Sequence, residues 1–412
     1  MNRVLLKCGF SFLFLCVMPS VTTPDTSQRI VKYSQEIEPY VSFLKEYRRQ
    51  PVDYIMGLFG THDIVILCER HHGETTQYDF ILDLISDPRF IDRIGNVFTE
   101  VGTSSMRGAI HDFLFSENLT EREIEKKALN IYRNLTWFPM WEKHNFFAFL
   151  KRLYCLNNSL AAAKKVNLYF SDMPFSWEGM TREKYKEFRS TLRNRDRTIA
   201  KQIIETFNEI SQSEANRRKA LVVMNYRHAF NDRFTHLHKS SEVKGENVGR
   251  YLFEEYPGRV ANVMMNFMAV KIGSTDKDVQ LGLIQDGKWD AAFEAAGNPN
   301  LGFDFTGLPF GEDSFDYFPF PSKGLTYQDV FTGFIFYEPL EKHRVAVGIP
   351  GLFDNGYDKV ILERFAIFGK PYEENEAKSL VSRLNRVRIA AYEDIGIDIT
   401  EKNSWLADLK DQ

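Results

Sequence analysis

Five apolar runs, each passing directly into polar residues, constrain this chain more than any other feature. The first, Asp63-Ile64-Val65-Ile66-Leu67-Cys68, is almost unbroken. Runs of this kind suit strands buried on both faces, as in parallel sheets. Comparable runs lie at Gly95–Thr99, Val166–Phe170, Ala220–Met224 and Val260–Met265. The segments between them carry helical spacing, as at Tyr78, Ile81, Leu82 and Ile85 after the first run. Further helices are expected between Met106 and Asn157, from Arg195 to Ser211 and near Val248 to Glu255, with a helical lead-in from Arg29 to Arg49. Strand alternating with helix predicts an α/β fold: a mainly parallel central sheet with helices on both faces.

Beyond Phe267 this alternation breaks down into short strands and Gly/Pro/Phe-rich loops, closed by a final helix at roughly Glu373 to Glu393. We therefore read residues 25–267 as an α/β hydrolase-like core and 268–412 as a C-terminal extension packed on it. The formal charge of -4 gives no basic footprint, so no nucleic-acid partner is expected. The aromatic share of 14%, including Trp137, Phe138 and Trp141, suits a dense interior or a cleft for bulky apolar ligands. No feature sets an oligomeric state.

The N-terminus reads as a signal peptide over residues 1–24. Arg3 and Lys7 precede an apolar run from Cys8 to Met18, which is too short for a comfortable membrane span. The mature chain is expected to lack a span and to be exported, periplasmic or secreted. Envelope attachment stays open, although Leu15-Cys16 lacks the small residue a lipidation site requires. Outside the signal only Cys68 and Cys155 remain; either a disulfide or two buried thiols would satisfy them.

Ligands bind parallel sheets outside the carboxyl ends of the strands. Here those ends present Glu69 and His72, then Glu100, then Asp172, then Asn225 and His228. Carboxylates and imidazoles set close together shift one another's proton affinity, the condition for activating water. Gly73 permits a tight turn, and the following helix start is expected to offer backbone N–H groups to an oxyanion. The alternative for Glu100 is simple pairing with Arg70 or Arg107, and Asp172 also suits an ordinary turn. The tract Arg193 to Arg197 fits an electrostatic patch or a solvated helix start.

Leu67-Cys68-Glu69-Arg70-His71-His72-Gly73 resembles the Glu-x-x-His-Gly signature of the erythromycin esterase-like family. That family is similar to a wider group with haem-binding bacterial lipoproteins and Tiki-type metalloproteases. The resemblance continues in order through Phe98-Thr99-Glu100, Asp172, Arg195-Asp196-Arg197, Asn225 to His228, and Asn247 to Tyr256, covering roughly Asp63 to Phe267. It departs at Cys68, where the family has Gly, and at Met224, where it commonly has His. The resemblance implies Glu69, His72, Glu100 and His228 as catalytic residues, with His72 the base and Glu69 orienting it. It implies His71, Asp172, Asn225 and Arg195 as substrate-binding residues. The expected function is an exported hydrolase cleaving an ester, lactone or amide in a small-molecule or peptide substrate, with no cofactor or with a divalent metal ion. The alternatives are a haem or small-molecule binding protein of the same fold, and a metal-dependent protease.

Overall fold

The computed structural model describes residues 31–406, apart from 214–215, 239–240, 272–273 and 275–279. The expected signal peptide, 1–24, lies outside the described residues. Seven strands form the main sheet: β1 (Ile64–Glu69), β2 (Asn96–Thr103), β3 (Asn167–Asp172), β4 (Ala220–Asn225), β5 (Val260–Met265), β6 (Leu301–Asp304) and β7 (Gly333–Phe336). Their spatial order is β6-β7-β5-β1-β4-β2-β3. All neighbours pair in parallel except the edge strand β6, which runs antiparallel to β7. The sheet is therefore mainly parallel, as expected.

The two-residue period of a strand divides β1 between two cores. Ile64, Ile66 and Cys68 face one, with the helices Glu38–Glu46, Arg195–Gln212, Val248–Glu255 and Lys288–Ala295. Val65 and Leu67 face the other, with the helices Pro51–Leu58, Thr76–Ser86 and His144–Asn158. A smaller aromatic cluster of Phe175, Trp177 and Tyr185 stands apart, with Trp137, Phe188 and Phe368 packed on it. Among the described residues, no helix is long and apolar enough to cross a membrane. No disulfide joins Cys68 to Cys155.

Several boundaries move. The helix Pro51–Leu58 follows the lead-in after a break, with Pro51 in its first turn, where a missing N–H costs nothing. The expected final helix ends at Leu384, and the chain then pairs Arg388–Ala391 antiparallel with Arg344–Val347. The residues after Val279 supply more than loops: β6 and β7 complete the sheet, and Trp289 and Phe293 enter its core. The last third also supports the loop after β1. Ala346 N–H donates to Gly73 O at 2.9 Å, and Thr75 N–H to Arg344 O at 2.8 Å.

Candidate active site

β1 and β4 are in register to their ends, so Glu69 lies opposite Asn225. β2 behaves differently. Its ladder with β4 runs to Thr99↔Val223, and its pairing with β3 shifts between Thr99 and Thr103. Glu100 sits inside this irregular stretch, not at a strand end. There its Oε2 accepts the Asn225 N–H at 2.9 Å, satisfying the donor left where the ladder stops. Gly102 makes the bend possible: its φ is 110°, and a Cβ there would come within 2.3 Å of the Phe170 ring.

The turn after β1 is tied down on every side. His72 Nδ1 lies 2.5 Å from Glu69 Oε2, and the Tyr78 hydroxyl donates to Glu69 Oε1 at 2.7 Å. Asn145 Nδ2 bridges His72 O and Glu74 O, both at 2.8 Å. The helix start expected to welcome an oxyanion is instead closed by Glu74, whose carboxylate accepts from Thr76 N (2.7 Å) and Gln77 N (3.0 Å). A side-chain carboxylate this close outcompetes any incoming ligand for those donors. Arg70 turns away from the site into the interior, bonding Glu74, Thr76, Asn266 Oδ1 and Tyr337 O.

A second group gathers around Glu100. Neither Arg70 nor Arg107 is its partner; Arg107 bonds Phe170 O and Thr206. Arg195, at the start of its helix, donates to Glu100 Oε1 at 3.0 Å and to Asp172 at 2.7 and 3.1 Å. His228 is held between two carboxylates, Nδ1 on Asp196 at 2.8 Å and Nε2 3.2 Å from Glu100. Burial disfavours charge on His228, but Glu100 and Asp196 override it and push its pKa up to about 10. At neutral pH this ring is an imidazolium. Glu100 is buried too, yet His228 and Arg195 hold it well below the usual carboxylate range.

The two groups meet. Ligand atoms of Glu69, His72 and Glu100 lie within 4.8 Å of one another, close enough to share a divalent ion. Burial lowers the pKa of His72, and Glu69, with help from Glu100, more than reverses that. A cleft of about 620 Å³ opens over them, with His71, His72, Glu100, Asp172 and Arg195 in its lining. Trp137, Phe138 and Trp141 give its lining an aromatic share. Trp137 and Phe138 stack at 4.0 Å, and the His72 ring meets Trp141 edge-on at 5.1 Å. Desolvation, then the Lys143 ammonium, push His71 down to about 4, although its ring reaches solvent at the cleft mouth.

Of the residues singled out from sequence, Glu69 and His228 lie directly behind the cleft, each bonded to a residue that lines it. Asn225 does not line it; its side chain donates to Arg70 O at 3.0 Å and accepts from Arg227 N. Tyr78 and Asp196 join the network without having been singled out. Tyr78 had registered only as an apolar helix position, and Asp196 only within a charged tract and the Arg195-Asp196-Arg197 motif, with no role given to it.

The site thus defines an α/β protein with a carboxylate–imidazole centre at the carboxyl ends of a parallel sheet. No protein-family model and no curated protein matches the chain. Solved structures do match. An erythromycin esterase mutant in its open conformation shares 10% identity, covering 74% of this chain and 96% of that one with a TM-score of 0.44. A Bacillus cereus protein shares 12% (74% and 97%, TM-score 0.43), and a succinoglycan biosynthesis protein 9% (75% and 94%, TM-score 0.45).

Proposed function

We propose that this chain is an exported hydrolase that cleaves an ester, lactone or amide by general-base activation of water at His72. The observation that carries this reading is the 2.5 Å contact between His72 Nδ1 and a carboxylate buried behind it. It supports a neutral ring with its proton on Nδ1 and a lone pair on Nε2, in a residue that lines the cleft. His72 Nε2 takes a proton from water as its oxygen adds to the carbonyl carbon, and Glu69 stabilises the imidazolium that results. The same proton then passes to the leaving oxygen or nitrogen. Arg195 and His228 keep Glu100 ionised beside this imidazole. The aromatic lining of Trp137, Phe138 and Trp141 supports a substrate with a bulky apolar portion, and the N-terminal pattern supports the exported setting.

A panel of p-nitrophenyl esters tests the reading. His72→Ala is expected to lose about two orders of magnitude or more in kcat, with the fold intact by circular dichroism. Equal turnover in the variant and the wild type would sink it. A metal-assisted version has its own support in the proximity of Glu69, His72 and Glu100. Loss of turnover on chelation, restored by a divalent ion, would select it. The haem-binding alternative needs an imidazole able to reach iron: both nitrogens of His228 are held by carboxylates and His72 Nδ1 by Glu69, which leaves His71 on the cleft as the ligand for that reading.

A further inference from the structure

An acyl-transfer site needs donors aimed at the oxyanion that forms when the carbonyl is attacked. The charged donors nearest His72 are largely committed, while the indole N–H groups of Trp137 and Trp141, which also line the cleft, have no partner. Arg195 donates from Nε and Nη2 to Asp172 and Glu100, with Nη1 beside His228 Nε2 at 3.3 Å, and His228 spends both nitrogens on Glu100 and Asp196. Lys143 pairs with Glu142 at 2.7 Å, and Glu74 closes the helix start.

His71 differs from these committed groups. The Gly73 N–H donates to His71 Nδ1 at 3.1 Å. A backbone N–H can only donate, so Nδ1 carries a lone pair and the ring hydrogen resides on Nε2. The ring lines the same cleft as His72, one residue along the chain. Its backbone is fixed, because His71 O accepts from both Glu74 N (2.9 Å) and Gln77 Nε2 (2.8 Å). Gly73 also makes room: a Cβ there would lie 3.4 Å from the His71 ring and 2.9 Å from Val345. The donor is thus held in place before any substrate arrives.

We propose that His71 Nε2–H is the side-chain oxyanion donor of this site, a role that rests on the hydrolytic reading above. As the water oxygen bonds to the carbonyl carbon and its proton moves to His72 Nε2, the carbonyl π pair collects on oxygen. That oxygen accepts from His71 Nε2–H. When the C=O bond re-forms, the leaving group departs with the proton from His72, and the hydrogen bond to His71 weakens again.

The test compares wild type, His71→Ala, His71→Gln and His72→Ala on p-nitrophenyl butyrate, together with calorimetric binding of an alkylphosphonate analogue of the tetrahedral state. His71→Ala should lower kcat by about 10²–10³-fold, the usual loss for one oxyanion donor, with KM nearly unchanged. It should weaken phosphonate binding by a similar factor. His71→Gln, which restores an N–H donor, should recover a substantial part of both. If His71→Ala keeps wild-type kcat and phosphonate affinity while His72→Ala is inactive, the donor assignment falls and the hydrolytic reading stands. If wild type and His72→Ala turn over no ester differently, both fall together.

Discussion

Glu69 controls when His72 can act as a base. A base must be unprotonated, and the Glu69 carboxylate raises the His72 pKa above the ordinary 6.5. The acid limb of kcat/KM should therefore have its midpoint above pH 6.5. In Glu69→Gln the raising charge is gone while the burial remains, so the midpoint should move to lower pH. The plateau should also fall by about 10²–10⁴, as when a triad carboxylate is replaced by its amide. Coincident limbs in the two pH–rate profiles would show that Glu69 does not tune the imidazole. Glu69 and His72 were legible because they follow the apolar run of β1 directly. Tyr78 was not, since a buried phenol shares the spacing of Ile81 and Leu82 and nothing local reveals where its hydroxyl points. Asp196 lay in a tract that suited a solvated helix start equally well; its partner, His228, is brought to it only by the fold.

At the scale of elements, the irregular stretch of β2 decides where Glu100 goes. The sequence after Thr99 reads as the end of a strand, whereas the chain continues extended to Thr103 with a bend at Gly102. Gly102→Ala would add a Cβ at a positive φ and against the Phe170 ring. We expect a loss of about 2 kcal/mol or more from strain and overpacking together, measured as a lower denaturation midpoint. Esterase activity should drop as well, because the bend aims Glu100 at Asn225 and Arg195. An unchanged midpoint would mean that this bend relaxes freely. The final helix was overextended because Leu380, Leu384, Val387 and Ala391 keep a helical spacing, yet the chain turns at Asn385 and re-forms as a strand. The strands β6 and β7 were hard to place because four residues of mixed Gly and Phe carry almost no period.

Across the whole molecule, the last third is coupled to the active-site loop through buried polar groups. His343, fully buried, packs beside Tyr392, and its pKa is pushed down to about 3 by burial and then by the Arg70 guanidinium. Its folded pKa lies below the unfolded value near 6.5, so its contribution to stability is complete above pH 6.5. That contribution is lost as pH falls from there through about 3, with a limiting slope of about 1.4 kcal/mol per pH unit for one proton. Chemical denaturation at pH 7 and pH 4 should therefore show a smaller difference for His343→Met than for the wild type. Identical differences would place the acid sensitivity elsewhere.

The strand order carries one more consequence, for synthesis on the ribosome. β7 is translated after β6 yet lies between it and β5, so β6 has no partner in the sheet until Gly333–Phe336 has emerged. Until then the β5 margin is bare backbone beside a finished parallel half-sheet, the kind of margin on which nascent chains aggregate or are caught by chaperones. A polypeptide stalled just short of Gly333 would be held at that step.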